Sequence, residues 1–186
     1  MVKGVRKRMY QYQLTEQTNQ DDLIAAVAEG SADAMARLYK QAGTSVYAFA
    51  LSVLKNSQDA EDVLHDCFIS IHAAAGSYRA KGKPMAWILT IAKNLCLKRL
   101  REQSRTVQLN PEDWKDYVDG NPAVTADDKV VIRACMEQLS DEERQIVVLH
   151  AVSGFKHREI ASLLNLALPT VLSKYNRAIK KLKAYF

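Results

Sequence analysis

The sequence predicts an all-α protein built from two small helical domains joined by an acidic flexible linker. Three observations carry this. Apolar residues recur at three-and-four spacing from residue 19 to 103 and again from residue 129, and no run alternates convincingly as a strand would. Helix-capping residues, glycines and prolines divide both stretches into short helices. Between them, residues 106–128 contain two prolines, a glycine and six acids (Glu112, Asp113, Asp116, Asp119, Asp127, Asp128) against Lys115. The expected organisation is therefore a basic tail over 1–18, a first helical domain over 19–105, a linker over 106–128 and a second helical domain over 129–186.

The 186 residues, 48% hydrophobic and 25% charged, are enough for one core or two small ones. The formal charge of +5 favours an anionic partner. No apolar run approaches the roughly 20 residues that span a bilayer, and the opening MVKGVRKRMYQYQ is basic without the apolar stretch of a signal peptide. A cytoplasmic protein without membrane insertion is expected. Cys67, Cys96 and Cys135 lie far apart within helical patterns and read as buried thiols. Asp62, His65, Asp66 and His72 share a helix, but His72 is two turns beyond His65 and no second ligand cluster appears, so neither metal nor cofactor is expected.

In chain order, Asp21 and Asp22 open a helix that stops near Gly30. A second runs from Ser31 to about Gly43, and a third follows through TSVYAFALSVLKN. Asn56 caps the fourth, with Asp59, Glu61 and Asp62 near its positive end. Its Ala60, Val63, Leu64, Cys67, Phe68, Ile71 and Ala75 form one apolar face, which leaves Asp62, His65, Asp66 and Ile69 together on another. An exposed isoleucine among carboxylates suggests a face that docks a protein. A loop with Tyr78, Arg79, Lys81 and Lys83 leads to Pro84, which suits the first position of the fifth helix. That helix is apolar around most of its circumference, with a stripe of Thr90, Lys93, Asn94, Lys98 and Arg101.

From Arg79 to Arg105 eight Lys or Arg stand against Glu102 alone, beside Tyr78 and Trp87. Cations for a phosphate backbone and aromatic faces for unstacked bases suit single-stranded nucleic acid. The plainer reading is a solvated helix face with a core tryptophan.

The linker's charge is opposite to that of both domains. As a flexible coil it would span about 25 to 30 Å, and fully extended about 75 Å, so the domains could reach sites more than one DNA turn apart, about 34 Å. In the second domain KVVIRACMEQL leads to Ser140-Asp141-Glu142-Glu143, a capping box for the next helix, which ends at Ser153-Gly154. Arg158 to Leu164 give a short helix, Asn165 tolerates a left-handed turn, Leu166 fills the turn, and Pro169 opens a last helix with Val171, Ala178 and Leu182 inward. This is helix-turn-helix spacing. The last helix exposes Thr170, Ser173, Lys174, Asn176, Arg177, Lys180 and Lys181, a set suited to a DNA groove or, more plainly, to an amphipathic C-terminal helix.

Four segments in this order, DAEDVLHDCF (59–68), YRAKGKPMAWILTIAKN (78–94), LSDEERQIVVLHAVSGFKHREIASLLN (139–165) and TVLSKYNRAIKKL (170–182), resemble bacterial RNA polymerase sigma factors of the sigma-70 family. The resemblance is to the extracytoplasmic-function group, which keeps only regions two and four. It implies a promoter-specificity subunit for transcription initiation, with no catalytic residues of its own.

By this resemblance Asp62, His65, Asp66 and Ile69 dock on the clamp coiled coil of the polymerase largest subunit. Tyr78, Arg79, Lys81, Lys93, Asn94 and Lys98 meet the melted minus-10 element, and Thr170, Ser173, Lys174, Arg177, Lys180 and Lys181 meet the minus-35 duplex. An anti-sigma factor that covers these surfaces until envelope stress releases them is a further implied partner. Departures from the family pattern include Pro84 in place of a frequent aromatic residue, Lys98 near a usual acid and Leu172 in place of a cation. Ala167 and Leu168 replace a polar helix start, a cap weaker by about 1 kcal/mol.

The departures at Ala167, Leu168 and Leu172 leave open a degenerate family member acting only as a protein adaptor, and two other classes fit less of the chain. A helix-turn-helix regulator that ignores polymerase explains only the second domain. A nucleic-acid enzyme would need a nucleophile or carboxylate cluster beside the basic strip, and the acids there already serve capping and docking.

Overall fold

A computed structural model of the chain describes residues 20–80, 82–103 and 126–185. The expected tail over 1–18 and all but the last three residues of the expected linker lie outside them. The described residues form α-helices, one 3₁₀ turn and no strand.

The first helix, α1 (20–28), buries Leu23, Ile24 and Val27 and stops at Gly30, whose φ of +89° only glycine adopts without strain. Ser31 then caps α2 (Ala32–Leu54), its hydroxyl accepting from Ala34 N at 3.2 Å. α2 is one continuous helix where the sequence suggested two. Gly43 does not end it, because Ala42, Gly43, Ser45 and Val46 are all buried and packing outweighs a glycine's helix cost of about 1 kcal/mol. The helix stops at Lys55, which takes φ 57°.

Asn56 Oδ1 accepts from Asp59 N at 2.9 Å to start α3 (Ser57–Ala74). Six of the seven apolar residues expected on its inner face lie within it and are buried, and the seventh, Ala75, is buried just past its end. A 3₁₀ turn (Ala75–Ser77) leads to the loop before α4 (Pro84–Gln103). α2, α3 and α4 pack mutually, with Tyr39 against Phe68 at 4.8 Å between ring centroids and Cys67 Sγ 3.8 Å from Ile88 O. The three cysteines are free and buried, and burial pushes each thiol up to about 12, so they are inert core residues.

The second bundle comprises α5 (Ala126–Gln138), α6 (Asp141–Ala151), α7 (His157–Leu164) and α8 (Leu168–Tyr185). α5 starts three residues before the expected Lys129. The capping box at α6 forms, with Ser140 N donating to Glu143 Oε2 at 3.1 Å. A second, less legible cap stands at α7, where Lys156 N donates to Glu159 Oε2 at 2.9 Å. Asn165 takes the left-handed conformation (φ 55°), and Leu166 N reaches back to Ala161 O at 2.9 Å, closing the turn between α7 and α8. α8 begins one residue before Pro169, with Val171 N on Ala167 O at 3.1 Å. Ile146, Leu149, Ile160, Val171 and Ala178 fill the core among these helices.

The two bundles touch through α2 against α6 and α4 against α7. Arg144, buried on α6, ties this junction. Its Nη2 donates to Leu139 O at 2.8 Å, Nε to Cys135 O at 3.3 Å, and Nη1 to Asp141 Oδ1 at 3.2 Å and across the junction to Ser52 O at 3.4 Å.

Candidate docking and nucleic-acid surfaces

On α3, Asp62, His65, Asp66 and Ile69 are all exposed, Ile69 at 59%. They form one row because positions separated by three, four and seven residues share a helix face. The opposite face is buried against α2 and α4, so the core presents this row outward. A large aliphatic side chain among carboxylates gives a surface that suits a cationic partner with an apolar contact.

Asp62 is not an isolated charge. Arg99 from α4 donates through Nε to buried Asp59 Oδ1 at 2.7 Å and through Nη2 to Asp62 Oδ2 at 2.5 Å. Sequence counting assigns Arg99 to the basic strip, whereas the fold turns it onto the acidic helix. Nothing in the local sequence marks this pairing, since its partners lie 37 and 40 positions away.

The residues expected at single-stranded DNA divide into two groups. Arg79, Asn94 and Lys98 are exposed. Tyr78 is half-buried, its ring 4.7 Å from that of Trp87 and its hydroxyl donating to Asp21 Oδ1 at 2.5 Å. Burial, followed by Asp21, pushes the Tyr78 phenol up, so it stays protonated as a donor. Lys93 is half-buried, and its Nζ donates to Leu163 O of α7 at 2.6 Å. Lys81 lies outside the described residues.

The last helix divides as well. Ser173, Asn176, Arg177 and Lys180 are exposed, and Thr170 is half-buried. Lys174 Nζ meets Glu142 Oε2 at 2.5 Å, and Lys181 Nζ meets buried Glu143 Oε2 at 2.6 Å, so these two lysines, two turns apart, edge the helix against α6. Lys181, expected at the duplex, is thus engaged by the core of its own domain. The capping box predicted Glu143's role at the helix start but not its second role as a lysine's partner. Lys83, just before α4, has its Nζ 4.0 Å from Oε1 of Glu159 in the first turn of α7.

Among the described residues no group of three His, Cys, Asp or Glu is arranged to hold a metal, and no helix is long and apolar enough to cross a membrane.

The family described as Sigma-70 region 2 matches residues 38–106, and Sigma-70 region 4 matches residues 129–182. An ECF RNA polymerase sigma factor, SigK, of Mycobacterium sp. (strain KMS) is 30% identical over 173 residues, covering 89% of this chain and 90% of that protein. The ECF RNA polymerase sigma factor SigM of Mycobacterium tuberculosis (strain ATCC 25618 / H37Rv) is 29% identical over 161 residues, covering 87% and 81%. In fold the chain is similar to CnrH, solved in complex with the cytosolic domain of CnrY, with TM-score 0.60, 22% identity and coverage of 90% and 96%. It is similar also to the sigma factor RpoE of Bartonella quintana, solved with the anti-sigma factor NepR, with TM-score 0.59, 22% identity and coverage of 80% and 93%.

Proposed function

The chain belongs to the sigma-70 family of RNA polymerase sigma factors, in its extracytoplasmic-function group, and from that premise we propose how its surfaces divide the work of a promoter-specificity subunit. The row Asp62, His65, Asp66 and Ile69 on α3 docks on the clamp coiled coil of the polymerase largest subunit. Arg79, Asn94 and Lys98, with Lys81, Lys93 and Tyr78, hold the melted minus-10 strand. The outward face of α8, led by Ser173, Arg177 and Lys180 with Thr170 and Lys174, reads the minus-35 duplex. The protein works in the cytoplasm and makes no bonds itself; polymerase supplies the chemistry. An anti-sigma factor is the partner expected to hold it inactive.

The observation that supports this division best is the exposure of an acidic row with Ile69 on α3, while α4 exposes Asn94 and Lys98. One small bundle thereby offers a cationic partner and a polyanion separate surfaces. The test is gel filtration with core RNA polymerase, wild type beside Asp62→Arg with Asp66→Arg. Co-elution of the wild type alone supports the docking face. Co-elution of the folded double mutant rejects it, and duplex binding without co-elution of either would favour a regulator that ignores polymerase.

A further inference from the structure

Arg99 stands in the middle of the basic run, yet its guanidinium spans two carboxylates of α3. Asp59, whose side chain is 7% exposed, accepts from Nε, and Asp62, 51% exposed, accepts from Nη2. A desolvated carboxylate holds a guanidinium more firmly than an exposed one does, and the planar fork of Arg relates its nitrogens rigidly. Asp59 therefore fixes the plane of the fork, and the fork fixes where the Asp62 carboxylate stands. The same cation offsets the repulsion between Asp62 and Asp66, one helical turn apart.

We infer that Arg99 is a positioning residue of the α3 docking face, holding Asp62 in the orientation that the polymerase surface meets. This rests on the docking assignment of that face. Asp62 Oδ1 and the second lone pair of Oδ2 stay available to a partner's cations, since the fork occupies Oδ2 from one side. A side chain already ordered in the free protein spares the cost of ordering it on association. Freeing a short side chain such as that of Asp62 weakens binding by about two- to threefold, the low end of the ordering cost.

The test is a double-mutant cycle of Arg99→Gln and Asp62→Asn in the full chain, read as the Kd for core RNA polymerase with Tm measured alongside. Arg99→Gln leaves Asp59 as a buried carboxylate without its guanidinium, so the cycle is repeated in an Asp59→Asn background, where the amide oxygen still accepts from Arg99 and no buried charge is left behind. The expected result is an about two- to threefold weaker Kd for Arg99→Gln when Asp62 is present and no further loss when Asp62→Asn is already in place. Arg99→Lys, which keeps the charge and loses the fork, is expected to weaken binding as Arg99→Gln does.

Equal losses with and without Asp62, or no loss at all, would overturn the positioning role. Asp66→Arg and Ile69→Ala separate the two readings. If they weaken Kd while the cycle shows no coupling, only the positioning role falls, and if they leave Kd unchanged the docking face itself falls.

Discussion

At His157, the first residue of α7, an imidazole sits among rings and has no polar partner for one nitrogen. Its ring stacks on His150 at 4.7 Å and meets the edge of Tyr175 at 4.6 Å, and its buried Nε2 has no hydrogen-bond partner among the described residues. His150 is oriented by donating from Nδ1 to Phe155 O at 2.8 Å. Burial, then the neighbouring His150, hold the His157 pKa below its ordinary 6.5. The folded state therefore binds fewer protons than the unfolded chain. This contribution to stability is fully present above about pH 6.5 and is lost as pH falls through the depressed folded value. Acidification from neutral pH is expected to lower the Tm of the C-terminal bundle, and His157→Gln to flatten that dependence in calorimetry.

Lys181 and Arg177 lie one turn apart and are expected to differ in kind. Burial pushes Glu143 up, but the hydrogen bonds from Lys181 and Ser140 outweigh it, and Glu143 ends below the usual carboxylate range. Lys181→Ala should cost about 1 to 2 kcal/mol of stability, discounted because the lysine is half exposed, with little change in the salt slope of duplex binding. Arg177→Ala should leave Tm unchanged and lower that slope by about 0.9.

The helices themselves carry one correction to the reading of punctuation and one expected weakness. Gly43 looks like a stop signal, yet it lies within α2. A Cβ added there would stand 3.8 Å from the Tyr39 ring, an ordinary contact. Gly43→Ala is therefore expected to stabilise by up to about 1 kcal/mol, seen as a higher Tm. α8 has the opposite fault, a weak beginning, because Ala167 has no side-chain oxygen for the first amides. Ala167→Ser should stabilise the C-terminal bundle by about 1 kcal/mol. A loss of stability in either variant would mean that packing at that site, and not helix propensity, sets the balance.

For the whole molecule, the junction between bundles decides which surfaces are available. Lys55 Nζ meets Asp141 Oδ1 at 2.7 Å, Arg144 reaches Ser52 O, and Lys93 donates to Leu163 O. Phe49, Val53, Leu97, Leu100, Leu164 and Leu166 line a groove between the bundles. Lys93, proposed at the melted strand, is thus engaged by the helix-turn-helix domain, and under that proposal strand binding exchanges this bond for one to phosphate. Asp141→Lys would place a third cation beside Lys55 and Arg144. The expected result is a larger radius of gyration in solution scattering, and an unchanged radius would mean that the Lys55–Asp141 pair is not needed to hold the bundles together.

What the sequence determined by itself was whatever depends on neighbours along the chain. Asn56 and Ser140 mark helix starts, Asn165 the left-handed turn, and the spacing of Asp62, His65, Asp66 and Ile69 one exposed row, because caps, turns and helix faces are set by residues within a few positions. Only tertiary structure decided what each charge faces. Arg99 belongs to Asp59 and Asp62, Tyr78 to Asp21, Lys93 to Leu163, and Lys181 to Glu143, at separations of 37 to 70 residues. A long flexible cation carries no local signal of its partner. Its position follows from how whole helices pack, and packing is fixed by the apolar faces on the other side.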